Sequence, residues 1–302
     1  MIIFNEREFA LSLTNNLPKK AYTLQEMTIY AKWLRTNIFT KKSDAEVVPL
    51  LYSTLSNFLH LCWSDFDPDV EYQRLNKAIK TALNQPLRTA HPIIITPQEL
   101  STINSLPPTP AKILFTMLVI SKFNRANPII DTSKPPTQYS DTRLRNTTPL
   151  SELFKIAHIR YSKDPSTYSI FNHYTNLIDL VPSKHLSRIL LFADPTNITP
   201  SPTMPPNSLI ISDYSNLILY YEQQTNPRIK SCTHCTHLFK DTSKRNNQLL
   251  CPTCRNPKPP TTLCTECGIR IPPPAHGPTP LRCPNCQKAY RRQYKKDFNA
   301  KS

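Results

Sequence analysis

Eight of this chain's 9 cysteines fall in four Cys-x-x-Cys pairs between residues 232 and 286, and no other feature restricts its fold as strongly. Fifteen residues separate Cys232 and Cys235 from Cys251 and Cys254, and fifteen again separate Cys264 and Cys267 from Cys283 and Cys286. A Cys-x-x-Cys turn aims two thiolates at one point, and a hairpin sets a second such turn opposite it, closing a tetrahedron around a metal ion. The spacing predicts two structural zinc ions (Zn2+), each held by a zinc ribbon of four cysteines. Full coordination leaves no open position for catalysis. Equal spacings favour sequential ribbons; a cross-braced arrangement, first pair with third and second with fourth, stays open.

The competing reading of paired cysteines is a disulfide framework, which requires an exported chain, whereas thiolate sites require reduced sulfur. The opening Met1-Ile2-Ile3-Phe4-Asn5-Glu6 turns charged at once, with no apolar signal core. The densest apolar run, Ile113 to Ile120, is far short of the about 18 residues that span a bilayer. The expectation is an intracellular, cytoplasmic protein with no membrane partner. His234 and His237 lie inside the first quartet but read as bystanders to four thiolates, and Cys62, among Leu59, Leu61 and Trp63, reads as a small core residue.

Composition matters next through glycine. The chain has only 2, Gly268 and Gly277, both in the second ribbon. Gly268 directly follows Cys267, where a knuckle turn often needs positive φ. Thr236, Arg255 and Gln287 fill the equivalent places, so strain is expected there. Valine and the acidic residues are also scarce, and all these residue types have codons beginning with guanine. Our hypothesis is a guanine-poor coding strand, which an ordinary guanine fraction in the gene would contradict. The net charge of +16 is therefore discounted as a sign of nucleic acid. Its placement is more informative. From Ser231 to Ser302 there are 13 Lys and Arg against 3 Asp and Glu, and two tetrathiolate sites would leave about +6.

Upstream, Thr23 to Glu26 and Ser43 to Glu46 are capping-box starts of helices, Thr96 to Glu99 starts another, and Asp67-Pro68 opens one more. Thr109-Pro110 precedes an almost wholly apolar helix, and Thr148-Pro149 a short one carrying Leu150, Leu153, Phe154 and Ala157. A third helix follows, with Tyr168, Phe171, Tyr174, Leu177 and Ile178 inward, and a strand runs from Leu186 to Phe192 after a turn at Pro182. That order is the order of a winged helix-turn-helix. The fold expected is multidomain α+β: a helical domain at 1–105, a winged-helix-like domain at 106–195, a proline-rich linker with strands at 196–230, zinc ribbons at 231–256 and 262–290, and a basic tail at 291–302.

On the third helix Ser169, Asn172, His173 and Asn176 face outward, with Lys163, Lys184 and Arg188 placed to meet phosphates. In the tail, Lys288, Arg291, Arg292, Lys295 and Lys296 alternate with Tyr290 and Tyr294, a pattern suited to phosphates and stacking. The bland alternative for both groups is a solvated surface.

Several stretches carry a resemblance: Met1 to Glu6, Phe115 to Asn124, Leu217 to Glu222, Cys232-Thr-His-Cys235-Thr-His-Leu-Phe239 and Cys251-Pro-Thr-Cys254. Over about residues 1–260 the chain resembles uncharacterised proteins of Firmicute phages and related mobile elements. Such relatives usually carry glycine where Thr236 stands, and the second ribbon is an addition to their pattern. The resemblance implies a setting with DNA nearby and supplies no activity. A DNA-binding regulator or replication accessory factor is the leading expectation. A protein-docking adaptor using its ribbons and an RNA-binding factor are the alternatives. No enzyme is expected, because the sequence has no glycine-rich phosphate loop, HxxxH metal pair or nucleophile motif.

Overall fold

The computed structural model describes residues 2–16, 20–40, 42–129, 143–160, 173–181, 187–243, 245–256, 262–263, 270–271, 281–282, 287–288, 290–292 and 294. Four helices come first: α1 (Glu6–Asn16), α2 (Leu24–Asn37), α3 (Asp44–Cys62) and α4 (Tyr72–Asn84). The two expected capping boxes start α2 and α3. Thr23 Oγ1 accepts from Glu26 N while the Glu26 carboxylate accepts from Thr23 N, and Ser43 with Glu46 repeats the box. The apolar faces so aligned, including Met27, Leu34, Leu51, Leu55, Leu75 and Ile79, bury one another with Cys62 in a single core. The start of α4 differs from expectation: Pro68 to Glu71 form turns, and the helix begins at Tyr72. The Asp67 carboxylate accepts from Asp69 N at 2.9 Å, the local alternative to helix that aspartate offers.

A second core surrounds α6 (Pro108–Ala126), in which every residue from Ile113 to Ile120 is buried. A helix apolar on all sides must be covered on all sides. Its cover comprises β1 (Ile93–Ile95), α5 (Pro97–Asn104), β2 (Arg145–Asn146), α7 (Leu150–Ile156), β3 (Ile178–Val181), β4 (Ser187–Leu190), β5 (Leu209–Ile211) and α8 (Leu217–Glu222). Thus β1 and Ile103 of α5, grouped by sequence with the helical domain of 1–105, pack in the α6 core. β1 also pairs antiparallel with β5, Ile93 opposite Ile211, across 118 positions of sequence.

The first residues of the proline-rich stretch, 194–198, are bonded to β1, α5 and α6. Ile94 N donates to Ile198 O at 2.8 Å. Lys122, fully buried on α6, donates to Glu99 Oε2 at 2.7 Å, Asn197 O at 2.8 Å and Ile94 O at 3.1 Å, so all three ammonium donors are used. Glu99 Oε1 in turn accepts from Asp194 N at 2.8 Å. Burial pulls the Lys122 pKa down and Glu99 opposes the shift. One buried ion pair therefore joins α5, α6, β1 and the 194–198 segment.

β2, β4 and β3 form an antiparallel sheet in that order, with Arg145 opposite Ile189 and Ile178 opposite Leu190. Ile178 thus opens a strand instead of lying on the third helix. Its side chain is buried beside Leu190, where a pleated pair places neighbours on one face. Tyr168, Ser169 and Phe171 lie outside the described residues. The chain continues with β6 (Ile229–Ser231), β7 (Leu238–Lys240), α9 (Pro252–Arg255), β8 (Thr262–Leu263) and β9 (Arg270–Ile271). The architecture is mixed helix and sheet, and no helix among the described residues is long and apolar enough to cross a membrane.

Candidate metal centre

β6 delivers the chain directly into Cys232, and β7 carries it away three residues after Cys235. The turn between them is closed by Thr236 N donating to Cys232 O and Cys232 N donating to His237 O, both at 2.9 Å. Closing it so tightly puts Thr236 at φ 62°, the left-handed region. A β-branched residue adopts that region at a steric cost. The strain expected from the missing glycine is therefore present at this knuckle.

The second pair is presented by α9, whose single turn starts at Cys251 with Pro252 in first position. Cys254 N faces Cys251 Sγ at 3.4 Å and Cys251 N faces Cys232 Sγ at 3.3 Å. Thr233 N donates to Leu249 O at 3.0 Å and holds the two turns against each other. The four sulfurs of Cys232, Cys235, Cys251 and Cys254 all lie within 4.8 Å of one another, with Cys235 and Cys251 at 3.6 Å. A tetrahedral ion with metal–sulfur bonds of about 2.3 Å places its sulfurs about 3.8 Å apart, so the donor set fits a metal ion. None of the four is in a disulfide.

The sulfurs do not ionise alike. Burial pushes the Cys232 thiol up, but facing N–H groups of Cys235, Cys251 and His234 outweigh it and hold it at about 6. Sharing protons with Cys235 is the largest of the influences that push Cys254 up to about 12, with burial next. Four thiolates this close together repel one another and require a cation among them. His234 and His237 are both exposed and outside the sulfur cluster; His237 Nδ1 lies 3.8 Å from Asp213 Oδ2 instead.

The residue that sequence reasoning missed here is Asp241, whose side chain has no solvent exposure. It accepts from Ser243 N and Gln248 N, both at 2.8 Å, and from Lys230 Nζ at 3.2 Å. The loop between the two cysteine pairs is folded around this carboxylate, which its hydrogen bonds hold well below the usual range against burial. Asp241 followed two residues later by Ser243 is an aspartate-turn pattern and was the available signal. Thr236 and His237 also line a cavity of about 680 Å³ together with Phe4, Glu8, Tyr214 and Tyr220.

Cys264, Cys267, Cys283 and Cys286 lie outside the described residues, as do Lys163, Asn172, Lys184, Lys295 and Lys296. His173 and Asn176 are exposed just before β3. Lys288, Arg291 and Arg292 are exposed on a helical stretch. Arg188 is a correction. It sits in the central strand β4, only 4% exposed, and its guanidinium donates to Thr148 O at 3.0 Å. Its side chain ties the sheet to the start of α7, away from any phosphate at the surface. Ser187, Arg188, Ile189 and Leu190 are all buried, so neither face of β4 offers this side chain to solvent, and the polar type alone did not reveal that.

The fold and site define a mixed helix-and-sheet protein with a four-cysteine cluster able to hold a metal ion. No protein family, curated protein or solved structure matches the chain.

Proposed function

We propose that this is a zinc-dependent, non-enzymatic nucleic-acid-binding protein, acting on DNA as a regulator or replication accessory factor of a phage or mobile element. The observation that carries the reading is the β2-β4-β3 sheet, whose β2 lies between α6 and α7 and whose β3 and β4 follow α7 in the chain. Helix, strand, helix and a two-stranded ribbon returning to the first strand are parts of a winged helix, a module that docks on duplex DNA, and its expected third helix falls largely outside the described residues. The exposure of His173 and Asn176 immediately before that ribbon supports the reading.

Zinc is the metal best matched to a four-thiolate tetrahedron. A second zinc at Cys264, Cys267, Cys283 and Cys286 is supported by a repeated offset. β8 ends one residue before Cys264 and β9 begins three after Cys267, as β6 and β7 do around Cys232 and Cys235. The exposed Lys288, Arg291 and Arg292 beside this second quartet suit phosphates. A protein-docking reading of the ribbons is favoured by Leu249, 65% exposed between the first two cysteine pairs.

Fluorescence anisotropy of the zinc-loaded chain with generic duplex DNA, across several salt concentrations, tests the proposal. Submicromolar binding that weakens steeply with salt is the expected result. An absence of binding to duplex at low salt overturns it, and recovery of a protein partner instead would favour docking.

A further inference from the structure

The tyrosines of the basic segment are arranged in a way that phosphate binding does not explain. Residues 287, 288, 290–292 and 294 are helical, so Tyr290 and Tyr294 are one turn apart on the same face. Their rings are stacked, 6.5 Å between centroids and 27° between planes. Arg282, just before the last cysteine pair, lays its guanidinium 4.1 Å from the Tyr290 ring centre. These three groups form a short ladder of flat side chains. Yet both rings stay open to solvent, Tyr290 at 47% and Tyr294 at 64% exposed. Aromatic rings that merely fill a core or cover a helix bury far more of themselves.

The adjoining sequence is strongly basic, with Glu266 and Asp297 its bounding acids. From Gly268 to Lys296 there is no acidic residue, while Lys288, Arg291 and Arg292 flank the tyrosines on the same helical stretch. Flat, exposed rings interleaved with cations have one chemical complement: a polyanion whose own flat groups are unpaired. Duplex DNA offers the charge but keeps its bases stacked internally, whereas a single strand offers both charge and free base faces.

We infer that the helical stretch around Tyr290 and Tyr294 is a stacking platform for single-stranded nucleic acid, with successive bases seated on the tyrosine ladder and phosphates held by Lys288, Arg291 and Arg292. This rests on the nucleic-acid reading above and adds a ligand distinct from the duplex assigned to the winged-helix-like segment. Stacking is indifferent to base identity, so the platform grips many sequences alike.

The zinc-loaded full chain is titrated by anisotropy with three probes: an unstructured single strand, an abasic strand of the same length and charge, and a duplex. Tyr290→Ala/Tyr294→Ala is expected to weaken the single strand about tenfold or more, stacking being worth about 1–3 kcal/mol per base. Tyr290→Phe/Tyr294→Phe keeps the rings and should hold affinity within about twofold of the parent, while duplex affinity stays unchanged in both variants and reports that they are folded. The abasic strand should bind the parent protein as weakly as the single strand binds the alanine variant. Equal binding of abasic and normal strands, or an alanine variant with undiminished single-strand affinity, overturns the stacking platform while leaving the duplex reading standing. Failure of the parent protein to bind any of the three probes overturns both.

Discussion

The α6 core and the cysteine knuckles close by opposite means. Around α6, β1, α5, α7, β4, β5 and α8 bury a continuous apolar set in which Ile93, Phe115, Leu118 and Ile211 are inaccessible to solvent. At the knuckles the buried set is Cys232, Phe239 and Cys251, with Cys235, Leu250 and Cys254 packed against it. A set that small cannot offset the conformational entropy of the loops it orders. The first region is held by area removed from water, and with the proposed metal bound the second would be held by ligation, so each should fail under a treatment the other survives.

Removing the metal is the largest such test. Structural zinc contributes about 10–16 kcal/mol of apparent binding free energy to small cysteine-ligated units. Chelation should erase hydrogen-exchange protection across residues 229–256 while amides of residues 113–123 stay protected. Loss of protection in both regions together would break the comparison. Protection that persists at the knuckles would mean the loop around Asp241 folds without metal.

The reverse treatment attacks α6. Phe115→Ala removes a fully buried ring and should cost about 3–5 kcal/mol in thermal unfolding with zinc content unchanged. Lys122→Met leaves the Glu99 carboxylate buried without its partner and should cost about 3–5 kcal/mol. Adding Glu99→Gln should recover part of that loss, since a neutral amide oxygen can still accept from Asp194 N. No recovery in the double variant would show that Lys122 acts chiefly through its bonds to Ile94 O and Asn197 O.

Acid should separate the regions in time. Asp194 in the body is a carboxyl that burial pushes up, but the Asn197 and Thr196 hydrogen bonds outweigh burial and hold it low. A depressed carboxyl gives its full stabilisation above the ordinary carboxylate range and loses it as pH falls through the native value. The body should therefore weaken only below about pH 4. Metal-bound thiolates compete with protons well above that range, so release of zinc to a chromogenic chelator should precede loss of near-ultraviolet dichroism. One coincident transition would mean the two regions are a single cooperative unit.

How far the sequence disclosed this arrangement follows from the range of each signal. Thr23 with Glu26 and Cys232 with Cys235 act within four residues, and both were legible because local spacing fixes their geometry. The bond between β1 and β5 was not, since Ile93 and Ile211 carry no mark of each other and only tertiary packing pairs them. Arg188 failed for a related reason: a basic residue in a strand is usually exposed, and only the position of β4 at the sheet centre makes it internal. Of the strand expected from Leu186 to Phe192, Ser187 to Leu190 form β4, whereas Ile178, the last inward residue expected on the third helix, opens β3, because a short run rich in apolar and β-branched residues satisfies either periodicity.

The smallest effect concerns Thr236, a β-branched residue at positive φ, whereas the positive-φ residues beside the α6 core, His158 and Asn207, are of types that tolerate that region better. At φ 62° a non-glycine residue costs about 1–2 kcal/mol, and the side-chain bond from Thr236 Oγ1 to Cys235 O, being exposed, returns little of it. Thr236→Gly removes the clash but frees the unfolded chain, so a net gain of about 1 kcal/mol is expected, seen as roughly fivefold slower zinc release to a competing chelator. Thr236→Ala keeps the β-carbon and should gain much less. If alanine and glycine slow release equally, the branch of threonine and not its backbone conformation is the source of strain. If neither changes it, the metal–sulfur bonds alone set the rate and the knuckle backbone follows them without resistance.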